Sequence, residues 1–502
     1  MKKYMCIAAS LMAVLPMAAQ ETYENAKLTG DDLNGTARYV GMGGAMEALG
    51  ADISTISTNP AGIGLFRHST INLSAGLISQ SDAPSYAKGD KTNLSFDQAG
   101  VVYSVQTRKN SHLNLAFNYH KSKNFNYILA AANGLNNASQ NKLTYEKLRN
   151  EVFTSKDDAT YNQLDHLYIN NLLYDNTDET YYYYPASEFQ MNREHEGYIA
   201  DYDFSISGNI HDRVFLGLTF GIKDVNYKHY GEYAEALDNF ALSVYDDREI
   251  SGTGFDVKFG AIFRPIETSP FRIGLYVHTP TWYDLTTSNY TTMSDGNESA
   301  RMAETYDFKL YTPWKFGLSV GHTINNYLAL GATYEYADYT ALDTRIIDGS
   351  YYDGWDYYDS SSSDKEMKRH TEETLKGVST LKLGAEYKPM PNLALRLGYN
   401  YISPKYENDG FKGVDVYSPG SYYSSATDYT NWKSTNRITC GVGYQIDKFN
   451  VDLAYQYTAQ KGNFHPFTDY YDNNDATEDN IAPATEVKNN RHQLLLTLGY
   501  HF

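Results

Sequence analysis

Gly317-Leu318-Ser319-Val320-Gly321 spells G-x-S-x-G, the string that in an α/β hydrolase exposes a nucleophilic serine on a strained turn between strand and helix. Here Phe316, Leu318 and Val320 carry an alternating apolar row straight through it, so Ser319 is expected to be an inward-facing strand residue. His195-Glu196 could open a zinc-binding H-E-x-x-H helix, but position 199 is Ile and the second histidine is missing. Gly41, Gly43 and Gly44 neither fit G-x-G-x-x-G nor follow a βαβ unit. The acidic run Asp469 to Asp479 lacks EF-hand spacing and is read as a solvated loop. No catalytic group, metal site or cofactor is expected, and the chain is not read as an enzyme.

What remains is the framework that carries these residues. Lys2 and Lys3, an apolar run from Met5 to Met17, and the small residues Ala18 and Ala19 read as a secretory signal over residues 1–20. No apolar run after it is long enough to cross a bilayer as a helix. Two cysteines, one of them (Cys6) inside the signal, exclude a disulfide-stapled scaffold. The formal charge of -19 disfavours nucleic acid as a partner. There are 48 tyrosines, whose apolar ring and polar hydroxyl suit a hydrocarbon–water boundary.

From about Ser69 onward apolar and polar residues alternate. Leu113, Leu115, Phe117 and Tyr119 share one face against Asn114, Ala116 and Asn118; Phe255, Val257, Phe259 and Ala261 stand against Asp256, Lys258 and Gly260. Short polar turns join these runs in pairs at Arg108 to Asn110, His211 to Arg213, Arg264 to Pro270, Asn325-Asn326, Pro389 to Asn392 and Asp447-Lys448. Long connections separate the pairs: Ala130 to Glu196, Lys228 to Gly252, Pro280 to Thr305, Thr340 to Leu375, Ile402 to Asn436 and Thr458 to Val487. Short turns on one side and long loops on the other define a transmembrane barrel. The tally is about fourteen strands, from Ile71, Leu73, Ala75 and Leu77 to Leu494, Leu496, Leu498, Tyr500 and Phe502. A soluble β-sandwich also alternates, but its strands run about five to six residues, whereas these rows persist for roughly nine or more. Tyr500 and Phe502 resemble the terminal signal read by outer-membrane assembly machinery. The domain reading is signal 1–20, an N-terminal segment 21–67 placed to fold back as a plug, and a barrel over 68–502.

That N-terminal segment carries the most specific motif. Gly35 to Ala45 (GTARYVGMGGA), then Ala48 to Ser54 and Asn59-Pro60-Ala61-Gly62, resemble the N-terminal hatch of the FadL/TodX family of outer-membrane transporters, in the form it takes in Bacteroidetes. Arg272 to Tyr276, Thr279 to Leu285, Tyr334 to Tyr339 and Leu395 to Tyr401 add weaker matches along the barrel. The resemblance implies a fourteen-stranded barrel closed by a hatch, passive uptake of long-chain fatty acids or other hydrophobic compounds, and gating around Gly41, Gly43, Gly44, Asn59, Pro60, Ala61 and Gly62. It also implies a kink in the third strand that opens the wall sideways. Here Lys121 and Lys123 stand on the lipid-facing parity, which reads as the strand having left the membrane.

The lumen-facing parity carries Asp203, Lys258, Arg272, Glu335, Arg396 and Asp452, expected to form lumen-filling ion pairs. Tyr181 to Tyr184 and the run Tyr351 to Tyr358 are expected to be girdle and loop packing. The expected protein is a monomer in the outer membrane of a Gram-negative bacterium, with a hydrophobic small molecule, outer-membrane lipid and the barrel assembly machinery as partners. The alternative is an outer-membrane structural or surface-interaction protein whose barrel never opens.

Overall fold

The computed structural model describes residues 21–155, 158–296, 299–352, 357–472 and 478–502. The signal reading of residues 1–20 lies outside the described residues, as do parts of the Tyr351 to Tyr358 and Asp469 to Asp479 runs.

Fourteen antiparallel strands close into a barrel, each bonded to the next and the last to the first. In order they are Thr70–Gln80, Thr92–Arg108, Ser111–Asn124, Ala186–Ile210, Val214–Leu237, Ala241–Phe263, Arg272–His278, Lys315–Ile324, Leu328–Asp338, Gly377–Met390, Leu393–Ile402, Tyr429–Ile446, Phe449–His465 and Arg491–His501. All six short turns fall where the alternation places them. The outward parity is apolar and exposed, as at Leu73, Phe204, Leu216, Phe316, Leu318 and Leu496. The inward parity is polar and buried, as at Asn114, Asn118, Asp203, Lys258, Ser319 and Thr497. This inversion of the soluble-protein rule is what a lipid-facing wall demands.

Two of the long connections are corrected. Residues 228–252 are strand apart from a turn at 238–240, because Val214–Leu237 and Ala241–Phe263 continue in register to Ala236↔Ala241. Likewise Trp282–Ser294 and Ser299–Tyr311 extend the seventh and eighth strands beyond Pro280 and Pro313. Above the membrane neither face meets hydrocarbon, so the apolar–polar contrast fades while the backbone stays extended. Histidine, glutamate and tyrosine on both faces there hid the strands.

The described parts of residues 135–185 and of the later long loops fold into a cap on the inner face of this tall wall. Helix Gln140–Arg149 is capped by Ser139, whose hydroxyl accepts the Lys142 N–H, and helix Gln163–Tyr168 by an Asn162/Asp165 capping box. Leu143, Leu164, Leu167 and Tyr168 bury themselves with Phe189, Phe464 and Phe467.

The chain before the first strand runs through the barrel interior from the cap side to the short-turn side. Helix Thr22–Lys27 lies among the long loops, where Tyr23 stacks on Tyr406 (centroids 5.2 Å apart) and donates to Asn431 (2.7 Å). Further down, Thr36 caps helix Ala37–Gly41, and Asp52 and Asn59 cap two successive 3-10 turns, Ile53–Ser57 and Pro60–Leu65. The irregular run Gly50 to Phe66 is therefore a pair of capped tight turns lying on the lumen wall.

Candidate functional site

The N-terminal segment rests on a belt of wall glycines. A Cβ at Gly331 would stand 2.0 Å from the Ala45 carbonyl oxygen, one at Gly384 2.3 Å from that of Met42, and one at Gly398 2.1 Å from the Gly43 nitrogen. Gly217 and Gly260 leave the same room for Asn59, Pro60 and Ala61. These glycines are register partners across strands: Gly217↔Gly260, Gly321↔Gly331, Gly331↔Gly384 and Gly384↔Gly398. Backbone therefore meets backbone over half the circumference, which only glycine permits. The belt was missed from sequence, although its members share the inward parity and one depth.

The residues singled out in the segment are on this contact. Asn59 Oδ1 accepts the Ala61 N–H (3.2 Å) while its Nδ2 donates to Glu47 O (3.0 Å). Pro60 opens the second 3-10 turn, where its missing N–H costs nothing. A side chain at Gly62 would strike Thr55, and a Cβ at Gly41 would stand 3.4 Å from Gly441 Cα. Gly43 and Gly44 take φ of +64° and +80°, which bends the chain from the helix toward Ala45.

The charged residues interlock. Lys258 bridges Asp203 and Asp256 (2.8 Å each), Arg396 bridges Glu386 (2.7 Å) and Asp452 (2.5 Å), and Lys382 joins Glu47 of the segment (2.8 Å) to Glu335 (3.9 Å). Arg272 departs from the ion-pair expectation: its Nη1 donates to the Leu49 carbonyl (2.9 Å), so it clamps the segment's backbone instead of a carboxylate. His120, Asp201 and Asp203 bring ligand atoms within 4.8 Å of one another, but Lys223 and Lys258 already neutralise the two carboxylates.

The residues with catalytic-looking patterns do none of that chemistry. Ser319 is buried within an uninterrupted strand. His195 heads a buried chain in which its Nδ1 meets Tyr227 Oη (2.8 Å), Tyr227 meets His229 (2.9 Å) and His229 meets Asp246 (2.7 Å). Of the tyrosine run, Tyr183 packs on Tyr145 and donates to Glu478, while Tyr181, Tyr182 and Tyr184 are exposed. Tyr500 packs between Phe449 and Phe502, and Phe502 N donates to Ser69 O, which ties the last strand to the start of the first.

The third strand holds the wall's irregularity. Its pairing with the second strand ends at Gln98↔His120, while Thr92 to Phe96 pair with the first strand and Tyr127–Gly134 with the fourth. Side chains bridge the gap between the strands. Asn34 Nδ2 donates both to Asp97 Oδ1 and to Lys121 O (3.0 Å each), Lys121 Nζ reaches Ser95 (3.3 Å), and Gln80 makes two hydrogen bonds to the backbone of Ile128. The lysine expectation is corrected here. A register break between Lys121 and Lys123 turns Lys123 into the lumen, where its Nζ donates to Thr29 O (2.7 Å). A bulge inserts one residue and so reverses the facing of everything beyond it.

Above the glycine belt and below the cap lies a chamber of about 310 Å³, lined from one side by residues 26–34 and from the other by wall residues of many strands. Its lining mixes Phe125, Tyr283, Tyr339, Ile402 and Trp432 with many ionised groups, so it suits a molecule with both an apolar and a charged part.

No family model and no curated protein sequence matches the chain. Among solved structures it superposes on the Ralstonia pickettii toluene transporter TbuX with a TM-score of 0.50 at 12% identity, covering 94% of this chain and 99% of that one. A Pseudomonas aeruginosa FadL homologue gives a TM-score of 0.50 at 12% identity, covering 97% and 100%. A TodX monoaromatic hydrocarbon channel lacking S2 gives 0.51 at 11% identity, covering 94% and 100%. At such identity the likeness establishes architecture: an all-β, fourteen-stranded barrel of the FadL/TodX kind.

Proposed function

We propose that the protein is a passive outer-membrane transporter that takes up hydrophobic or amphipathic small molecules, long-chain fatty acids among them, with residues 21–67 as its hatch. The observation that carries this reading is the side gap between the second and third strands, closed by side chains at a height where the first strand is bonded on both sides through backbone ladders. Ladder bonds would have to break cooperatively, whereas Asn34 and Lys121 can swing away one at a time. In this reading the ligand enters under the cap and rests in the chamber; movement of Asn34 then lets it leave sideways into lipid, where its apolar part is stable. The gradient of the ligand drives the flux. Among the structural neighbours are a toluene transporter and a monoaromatic hydrocarbon channel, which supports a cargo of this broad class.

The test is uptake of a fluorescent fatty acid by proteoliposomes, with co-purified lipid identified by mass spectrometry. Asn34→Ala is expected to change the flux. An unchanged flux at background level, with no bound lipid, would favour the permanently closed structural protein.

A further inference from the structure

We propose that the chamber wall forms an anion-binding cage, and that Asp31 and Asp32 of the chain's own N-terminal segment fill it in the closed state as stand-ins for a ligand's carboxylate or phosphate group. The wall contributes nine lysines and arginines, three histidines and three carboxylates to the chamber lining, and Lys258 and Lys382 are paired besides with Asp203 and Glu47. The whole chain carries a formal charge of -19, so this excess of cations runs against its composition.

The cations converge on one turn, Thr29-Gly30-Asp31-Asp32, from widely separated parts of the chain. Asp31 pairs with Lys315 (2.5 Å), and Asp32 Oδ1 lies 3.1 Å from Arg437 and 3.6 Å from Arg491. Lys123 donates to the carbonyls of Thr29 (2.7 Å) and Gly30 (3.4 Å). Lys405 donates to those of Ala26 (2.9 Å) and Thr29 (3.0 Å) and sits 4.5 Å over the Tyr339 ring. Among the described residues neither Lys123 nor Lys405 has a carboxylate within ion-pair distance. Removing two ammonium groups from bulk water to serve neutral carbonyls is a poor return as packing. It is a sound one if an anion with more oxygen atoms sometimes replaces the turn. Because the turn is tethered, it competes as an intramolecular ligand at high effective concentration, and a free anion binds only when the segment lifts.

The reason for a ligand to be in the chamber rests on the uptake reading, but the cage is tested at equilibrium and independently of flux. Full-length protein in a neutral detergent is titrated calorimetrically with octanoate, with inorganic phosphate as the probe without a tail and octyltrimethylammonium as the charge-inverted probe. In Asp31→Asn/Asp32→Asn the stand-in charges are gone, and octanoate is expected to bind about tenfold tighter than to wild type. Adding Lys405→Met should remove the gain. A gain shared by phosphate supports a cage that reads the anion alone, and one confined to octanoate supports a cage that also needs the tail. Equal octanoate affinity in the double variant and wild type, or an equal gain for octyltrimethylammonium, overturns the proposal. Should the double variant fail to give a heat-shifted, folded band, Asp31→Asn alone carries the same comparison with a gain of about threefold.

Discussion

Gly331→Ala is the sharpest probe of how the N-terminal segment is held. The new methyl carbon would stand 2.0 Å from the Ala45 carbonyl oxygen, so segment and wall must part by about 1 Å before any real Cβ–O contact is reached. The obstacle is backbone and not a side chain that could rotate away. Overpacking of this kind costs about 1–3 kcal/mol, against which Ala recovers at most about 0.5–1 kcal/mol of strand preference over Gly. The strand preference is the same with the segment seated or lifted and cancels between them, so if the closed state bears the overpacking cost, the population with the segment lifted rises about five- to 150-fold. The assay is ionic conductance of the purified protein in a planar bilayer: wild type is expected to be quiet and Gly331→Ala to show open bursts. Gly384→Ala should behave alike, since its Cβ would stand 2.3 Å from Met42 O. Gly134→Ala, with nothing nearer than 3.7 Å, is the silent control. If Gly331→Ala shows the folded heat-shifted band and stays as quiet as wild type, the belt is not the seat that holds the segment closed.

Further outcomes follow from other contacts. Gly317→Ala should lower thermal stability by about 1–3 kcal/mol, because the Tyr276 ring covers Gly317 (1.9 Å from a Cβ built there) and would be pushed off its bond to Glu335; calorimetric melting reads this. A nitroxide on Cys440, which is exposed on the outward parity, should be accessible to oxygen and shielded from a water-soluble nickel relaxant; the reverse would place that face in water. In the cap, burial opposes ionisation of Asp428 but the Arg193 guanidinium outweighs it and holds the carboxyl below its ordinary value of 3.8. A depressed folded pKa gives stability that is present above the unfolded value and lost as pH falls through the folded one. The cap should therefore resist pepsin at pH 5 and loosen only below about pH 3.8, while Asp428→Asn should be more susceptible at pH 5 and lose this dependence.

The parity of Leu113 to Tyr119 and of Phe255 to Ala261 was enough to give the barrel, its turns and its strand number. A wall between lipid and a polar lumen imposes a period of two that any reader can count. The same rule explains where reading stopped. Past Lys228 and Pro280 both faces meet polar surroundings, the contrast is lost, and strands passed for loops. At Lys121 to Lys123 one inserted residue reversed the facing, which counting by twos cannot detect without the partner strand's register. The motif Asn59-Pro60-Ala61-Gly62 was visible in the sequence through its resemblance to a hatch. The glycines it lies against were not, because Gly217 and Gly260, paired across two consecutive strands, meet Pro60 from far along the chain. The same holds for Lys123, Lys315, Lys405, Arg437 and Arg491: they are spread over more than 350 residues of chain, and only closure of the barrel brings them around Asp31 and Asp32. Local alternation is a property of neighbours and is written in order. A seat and a cage are properties of a closed surface, and they exist only once the last strand has met the first.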